Sequence, residues 1–295
     1  IGEAVTRRLA AKGANIVVAY TSDSSTSPTR QLCAELSAAH SVRCVPAQAD
    51  LSEPAAAANT ILDAARALFF SYHDRNAAPD DDDDDKDKDF QVDMLINNAG
   101  VASNQVLNDE ERGPITPDEF HRVYTVNVLA PLLLTQAVAP YLPRDRSGRI
   151  VTVSSVSSSI GYQGQSIYAG SKAAVEAMTR TWSRELAARA TVNAVNPGPA
   201  WGDMYAQAGE KFWKINQPYV DVAPLAEYHG EKEVLELAGG DAQRFDTTVR
   251  EGMGGRRPGF TSEIAGTIDM LCSAEAGWTT GSVVCANGGM KMSIA

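Results

Sequence analysis

A chain of 295 residues, 44% apolar and 21% charged, can bury one large core or two small ones and has the composition of an ordinary globular protein. Its formal charge of −11 argues against a nucleic-acid or anionic-membrane partner, because phosphate binding needs a basic face. Eight aspartates against two lysines in residues 80–89 carry −6 of that charge, so the acidity is local.

Residues 1–12 form an amphipathic helix with Val5 and Leu9 on one face, closed by Gly13. The apolar run 15–20 is a buried strand, and a polar loop over 21–27 leads into a helix near 28–39. A strand at 42–47 and a helix at 54–68 continue the alternation, which predicts an α/β fold with a doubly wound parallel sheet, Rossmann-like and in a single domain. Residues 71–91 break the rhythm. They are Asp-rich and self-repelling, so they read as a solvated, disordered insert; they lack the Gly and spaced Glu of a calcium loop. Order resumes with a strand at 92–96, a long helix at 117–139, a strand at 148–153 and a helix at 166–188. A strand at 191–195 ends at Asn196-Pro197-Gly198 and is followed by a long irregular stretch, 199–258. A helix at 261–272 and a strand at 282–286 close the domain.

Cys33, Cys44, Cys272 and Cys285 stand far apart in sequence, which suggests neither a zinc site nor a disulfide framework and points to reduced thiols in the cytoplasm. No apolar run approaches membrane-spanning length, and no signal peptide opens the chain.

The strongest chemical signal is Tyr168-Ala-Gly-Ser-Lys172. Residues four apart share a helix face, so a phenol and an ammonium point into one space. A free tyrosine has a pKa near ~10, and a neighbouring lysine charge is expected to lower it into working range as general acid and base. The pair alone is common and more often decorates an ordinary helix; its context is what counts. Ser155, thirteen residues earlier at the end of the 148–153 strand, would stand in the ligand crevice of an open sheet and meet a substrate carbonyl. Ser154, Ser157, Ser158 and Ser159 compete with it. Asn97-Asn98-Ala99-Gly100 follows another strand and lets backbone approach a flat ligand while its amides tie neighbouring loops together. Asn127 is out of place in an apolar helix. It either satisfies itself on local backbone or holds a proton-relay water.

Together Asn97 to Gly100, Asn127, Ser155, Tyr168, Lys172 and Pro197-Gly198 resemble the short-chain dehydrogenase/reductase superfamily, in its compact single-domain branch, over essentially the whole chain. The resemblance implies a ketoreductase-like enzyme acting on CH-OH/C=O. Tyr168 would protonate the carbonyl oxygen, Lys172 would bind the nicotinamide ribose, Ser155 would orient the carbonyl and Asn127 would anchor the relay water. Asp50 and Leu51 would meet the adenine, Asn98, Ala99 and Gly100 would border the cofactor, and Pro197 and Gly198 would pass beside the nicotinamide. It also implies a homodimer or homotetramer paired through the two long helices.

Such a chain would begin with a strand and a Thr-Gly-x-x-x-Gly-x-Gly loop holding the pyrophosphate. Here Ile1 and Gly2 stand at the end of that loop, and the 15–20 strand is expected to lack a partner joining it to Ile96. A sequence cut at its start is the favoured account; a true short form would bind cofactor weakly. At the end of the 15–20 strand, Tyr20-Thr21-Ser22 offers no carboxylate before Asp23, which favours NADP(H) and leaves NAD(H) open. The stretch 199–258 corresponds to a substrate lid. Trp201, Met204, Tyr205, Phe212, Trp213 and Tyr219 suit a bulky ketone, such as a secondary metabolite, and suit lid packing equally well. Tyr162, Trp201 and Tyr205 join Ser155 as candidate substrate contacts, and Gly202 stands where relatives carry a Thr. Two alternatives stay open. One is a 3-oxoacyl-thioester reductase, for which Arg256-Arg257 is the only compact basic patch; the other is a non-catalytic binding or scaffold protein that kept the fold.

Overall fold

Side chains along the strand Gly148–Val153 alternate between two buried layers: Ile150 enters one apolar core, Val151 and Val153 the other. A strand apolar on both sides belongs inside a sheet covered on both faces, and the computed structural model is built this way. It describes residues 1–73, 90–202, 205–206 and 209–292. In chain order, α1 (Gly2–Ala10), β1 (Ile16–Tyr20), α2 (Thr26–His40), β2 (Cys44–Gln48) and α3 (Pro54–His73) come first. Next are β3 (Met94–Asn97), a small hairpin of β4 (Asn108–Asp109) and β5 (Gly113–Pro114), α4 (Pro117–Tyr124), a π-helical turn Thr125–Leu129 and α5 (Ala130–Val138). The central strands β6 (Gly148–Val153) and β7 (Ala190–Pro197) flank α6 (Ser157–Ile160) and α7 (Ser166–Glu185). The remainder comprises β8 (Ala200–Trp201), α8 (Gly209–Val220), α9 (Lys232–Ala238), α10 (Ala242–Thr247), β9 (Gly259–Phe260), α11 (Thr261–Cys272) and β10 (Val283–Ala286).

Strands β10, β7, β6 and β3 form one parallel sheet in that order, and β1 pairs in parallel with β2. On one face Leu62 of α3, Leu134 and Val138 of α5 and Trp182 of α7 close over Ile150 and Val192. On the other, Val5 and Leu9 of α1 meet Ile264, Ile268 and Leu271 of α11 over Val151, Val153 and Val195. The helix face foreseen in residues 1–12 is therefore a core face. Among the described residues β1 has no strand partner but β2, and β3 none but β6. A cleft of about 1170 Å³ separates them, walled by Ile16 to Tyr20 and by Leu95 to Asn97.

Three expectations need correction. The helix expected to end near 68 runs to His73, and Phe90 is only 4% exposed, packed on Phe69 and Tyr141. Both ends assigned to the acidic insert thus belong to the folded body, and the rest of it, residues 74–89, lies outside the described residues. The segment Pro117–Tyr141 is long and apolar enough by length and composition to cross a membrane, which the sequence reading missed. Its apolar side is a core face, with Ala130, Leu134 and Val138 buried. Cys33 and Cys44, remote in sequence, are brought together where α2 packs on β2, their sulfurs 3.2 Å apart as buried free thiols; burial pushes the Cys44 thiol up to about 12.

The third correction is the lid. The stretch 199–258 is largely helical among its described residues and carries its own core, in which Trp201, Tyr205, Tyr228, Val249, Met253 and Phe260 surround Phe245. Phe245 is 0% exposed. Phe245→Ala should cost about 3–5 kcal/mol locally. Hydrogen exchange should then show the lid helices losing protection while β6 and β7 keep theirs; equal loss across the sheet would show the lid is not a separate packing unit.

Candidate active site

The carboxyl ends of β3, β6 and β7 converge with the amino-terminal half of α7, as in other open parallel sheets whose crevices take ligands. Tyr168 and Lys172 lie one turn apart on α7, with the Lys172 Nζ 5.7 Å from the centre of the phenol ring. Ser155 faces the Tyr168 phenol closely enough to lower its pKa against the larger effect of burial. Ser155 Oγ accepts the Ser157 amide at 3.2 Å and donates to Ser157 Oγ at 3.1 Å, an ST-type turn that fixes its rotamer. Spacing alone singled out Ser155 among the five serines, and it is the one that faces the phenol.

Lys172 is 4% exposed, and its Nζ donates to the Val153 carbonyl at 2.9 Å. Burial lowers its pKa from 10.5 to about 8. The phenol departs from expectation. Burial raises Tyr168 above its ordinary value, and the facing Ser155 hydroxyl opposes this only in part. Desolvation penalises the charged form of each group, so it pushes the phenol up and the amine down. Sequence spacing carries the charge pair but not the burial.

Asn127 lies in the π-helical turn, 2% exposed. Its Oδ1 accepts the Val101 amide, and its Nδ2 donates to the Val101 carbonyl and to Ser171 Oγ at 2.9 and 3.0 Å. The amide is thus satisfied by the distant main chain of Val101 and by Ser171 instead of by local backbone. It pins the loop after β3 against α7. At residue 100 a Cβ would meet Lys172 Nζ at 3.1 Å and Asn127 Oδ1 at 3.2 Å, so only glycine lets the backbone pass. Asn97 ties α5 to β6 through Thr135 and Thr152.

Among the candidate cofactor residues, Gly2, Tyr20, Leu51, Asn98 and Ala99 line the cleft between β1 and β3. The amino end of α1 opens beside them, a setting suited to a pyrophosphate; a Cβ at Gly2 would meet Asn98 Nδ2 at 2.7 Å. Ile1 heads that helix, accepting the Val5 amide. Thr21 reaches the Ala49 carbonyl, and Ser22 gathers Ser24 and Ser25 into a cluster of hydroxyls. Asp23 is engaged by Gln48 at 2.7 Å, so it is not free to mimic an NAD-selecting carboxylate. Asp50 caps the turn into α3 through the Ser52 amide. Pro197 accepts the Val156 amide, and at Gly198 a Cβ would sit 3.1 Å from Asn287. Gly2 and Ala99 thus offer little but main chain to the cleft that Tyr20, Leu51 and Asn98 also line.

The candidate substrate residues divide. Tyr162 packs edge-on against Tyr219, centroids 3.9 Å apart, and its hydroxyl meets Met290 Sδ. Tyr205 is 7% exposed, and its hydroxyl finds no partner; burial raises its pKa to about 12. Trp201 is corrected. Its indole N–H is given to Asp241 and its faces meet Tyr205, Trp213 and Phe245, so it serves the lid core. Met204 lies outside the described residues. Sequence reasoning missed Glu176, one turn beyond Lys172 on the same face, which is buried.

Comparison with known proteins follows from this geometry. A family model described as short chain dehydrogenase matches residues 86–212. The L-xylo-3-hexulose reductase of Hypocrea jecorina is 66% identical over 295 residues, covering 100% of this chain and 94% of that protein. The L-xylulose reductase of Aspergillus niger is 54% identical over 294 residues, 99% and 93% of the two chains. Among solved structures, a blue fluorescent protein from a metagenomic library in complex with NADPH superposes with a TM-score of 0.73 at 28% identity, covering 98% of this chain and 92% of that one.

Proposed function

The chain belongs to the short-chain dehydrogenase/reductase family, and on that premise we propose that it reduces a small polyhydroxylated ketone, a ketose, using NADPH. The observation that carries this reading is the Tyr168 phenol facing Ser155 with Lys172 buried beside it. The sugar class rests on the names of the two fungal relatives.

When bound, the nicotinamide supplies the hydride. Ser155 donates to the carbonyl oxygen and holds it at Tyr168, and Tyr168 gives that oxygen its phenolic proton as charge builds there. Lys172, while protonated, favours the phenolate left behind. Gly2, Tyr20, Leu51, Asn98 and Ala99 would hold the nucleotide, with Thr21 and Ser22 near the adenosine ribose, where hydroxyls instead of a carboxylate favour NADP(H). A solved relative at 25% identity is likewise an NADP complex.

The thioester-reductase reading loses its docking patch, since Arg257 forks onto Glu263 and Arg256 donates to the Ala223 carbonyl. The scaffold reading has no use for a buried lysine beside a phenol. A reducing, cytoplasmic address suits the four free thiols. A homodimer or homotetramer would use α4, α5 and α7, where Phe120 and Leu129 are exposed.

The test is a panel of ketoses and aromatic ketones assayed with NADPH and NADH. L-Xylulose or L-xylo-3-hexulose should drive NADPH oxidation, and NADH should be at least about tenfold poorer, the loss of one or two phosphate contacts. Binding of NADPH without turnover of any ketose would sink the sugar reading, and no binding of either nucleotide would restore the scaffold.

A further inference from the structure

The last buried titratable group on the catalytic face of α7 has no part in the chemistry above. Tyr168, Lys172 and Glu176 are spaced i, i+4, i+8, so they stack along one side of the helix. Each grips the segment leaving β6. Tyr168 faces Ser155, Lys172 Nζ donates to the Val153 carbonyl, and Glu176 Oε1 accepts from Ser154 Oγ at 2.6 Å and Ser158 Oγ at 2.7 Å. The same oxygen accepts from Asn196 Nδ2, at the end of β7, at 3.0 Å. Glu176 is 9% exposed, and among the described residues no lysine, arginine or histidine pairs with it. A glutamate four residues after a lysine ordinarily reads as a surface ion pair; this one is turned inward onto neutral donors.

Its partners bear on Ser155 directly. Asn196 is fully buried, and its two amide hydrogens are shared among Glu176, the Ser155 main-chain carbonyl at 2.9 Å and Ser158 Oγ at 3.1 Å. Asn287 donates to Asn196 Oδ1 at 3.4 Å, which fixes the orientation of that amide. Ser154 shares its hydroxyl between Glu176 and the Lys172 carbonyl, 3.3 Å away. A carboxylate can only accept, so it forces three donors from β6, α6 and β7 to converge. The main chain of Ser155 is then held on one side by Asn196, and its hydroxyl oxygen is held on the other by the Ser157 amide.

We propose that Glu176 is a positioning residue for the reduction: its carboxylate draws Ser154, Ser158 and Asn196 onto one oxygen and so holds the Ser155 hydroxyl at Tyr168. The proposal rests on the reductase reading, but it is tested by a readout that does not. Glu176→Ala leaves the three donors without their common acceptor, whereas Glu176→Gln keeps size and an acceptor oxygen. In the full chain, Glu176→Ala should lower kcat by about ten- to a hundredfold through loss of alignment, with the NADPH Kd within about twofold of the parent. Glu176→Gln should recover kcat to within about fivefold, because its carbonyl oxygen keeps two acceptor sites among the three donors. Hydrogen exchange at residues 154–160 should quicken in Glu176→Ala and return toward the parent in Glu176→Gln. This holds even if no ketose is turned over, so a failure of the reductase reading leaves the exchange result decisive. Should Glu176→Ala not fold, Ser158→Ala removes one donor from the partly exposed side and should give a smaller change of the same pattern. Unchanged kcat and exchange in the Ala variant, or a Gln variant no better than Ala, overturns the proposal.

Discussion

Tyr168→Phe should reduce ketose-dependent NADPH oxidation by about three orders of magnitude, the usual worth of a positioned general acid and its contact. The ring stays in place, so packing is kept; only the hydroxyl that faces Ser155 is removed. Nucleotide affinity should therefore hold, and fluorescence titration with NADPH should return the parent Kd. The loss should fall on kcat and kcat/KM alike, as it must when a transition-state contact is deleted. Turnover within tenfold of the parent would remove the phenol from the mechanism.

Lys172→Met should lower activity and raise stability together. The amine is 4% exposed, and its pKa falls from 10.5 to about 8. That displacement corresponds to about 3 kcal/mol against the folded state at neutral pH. Part is returned by the Val153 hydrogen bond, typically ~1 kcal/mol net, which methionine forfeits. A net gain of about 1–2 kcal/mol is expected at neutral pH, with kcat falling at least about a hundredfold because the phenolate loses its cation. The sign with pH follows from linkage. Between about 8 and 10.5 the unfolded chain holds a proton on Lys172 that the folded chain has released. Stability of the parent therefore rises with pH across that window while the methionine variant gains nothing from this residue. Urea melts at neutral pH and near pH 10 should show the gap between the two proteins closing. A gap that stays constant would mean the ammonium is not buried at a cost. The arrangement is an instance of stability yielded for function.

Much of this was legible from the chain because the signals were periodic or paired. The 261–272 helix was placed within its observed bounds, since Ile264, Ile268 and Leu271 repeat at helical spacing and all are buried. Strand β6 was placed within its observed bounds, and Tyr168 with Lys172 was singled out by four-residue spacing together with Ser155, Asn127 and the run Asn97 to Gly100. The failures share a cause: what matters depends on burial, which spacing does not encode. The rise of the phenol was missed because a neighbouring lysine is visible in sequence and desolvation is not. Glu176 was missed because it stands where a surface ion pair would. Phe90 was assigned to the acidic insert because eight aspartates precede it. The lid helices were hidden by Pro218 inside α8 and by Gly230 and Gly239 between the short helices, both with positive φ, which break the hydrophobic period before it can be read.

The separate core around Phe245 bears on how the protein can change. Its buried members come from residues 201–260, whereas the proton-transfer groups sit on α7 and at the tip of β6. Substitutions in distant, unconnected packing units combine additively. Selection could therefore rework sugar preference in the lid one residue at a time, each step leaving the reaction barrier intact. Two enzymes with an identical catalytic apparatus could then diverge to different ketoses by drift confined to roughly one fifth of their length.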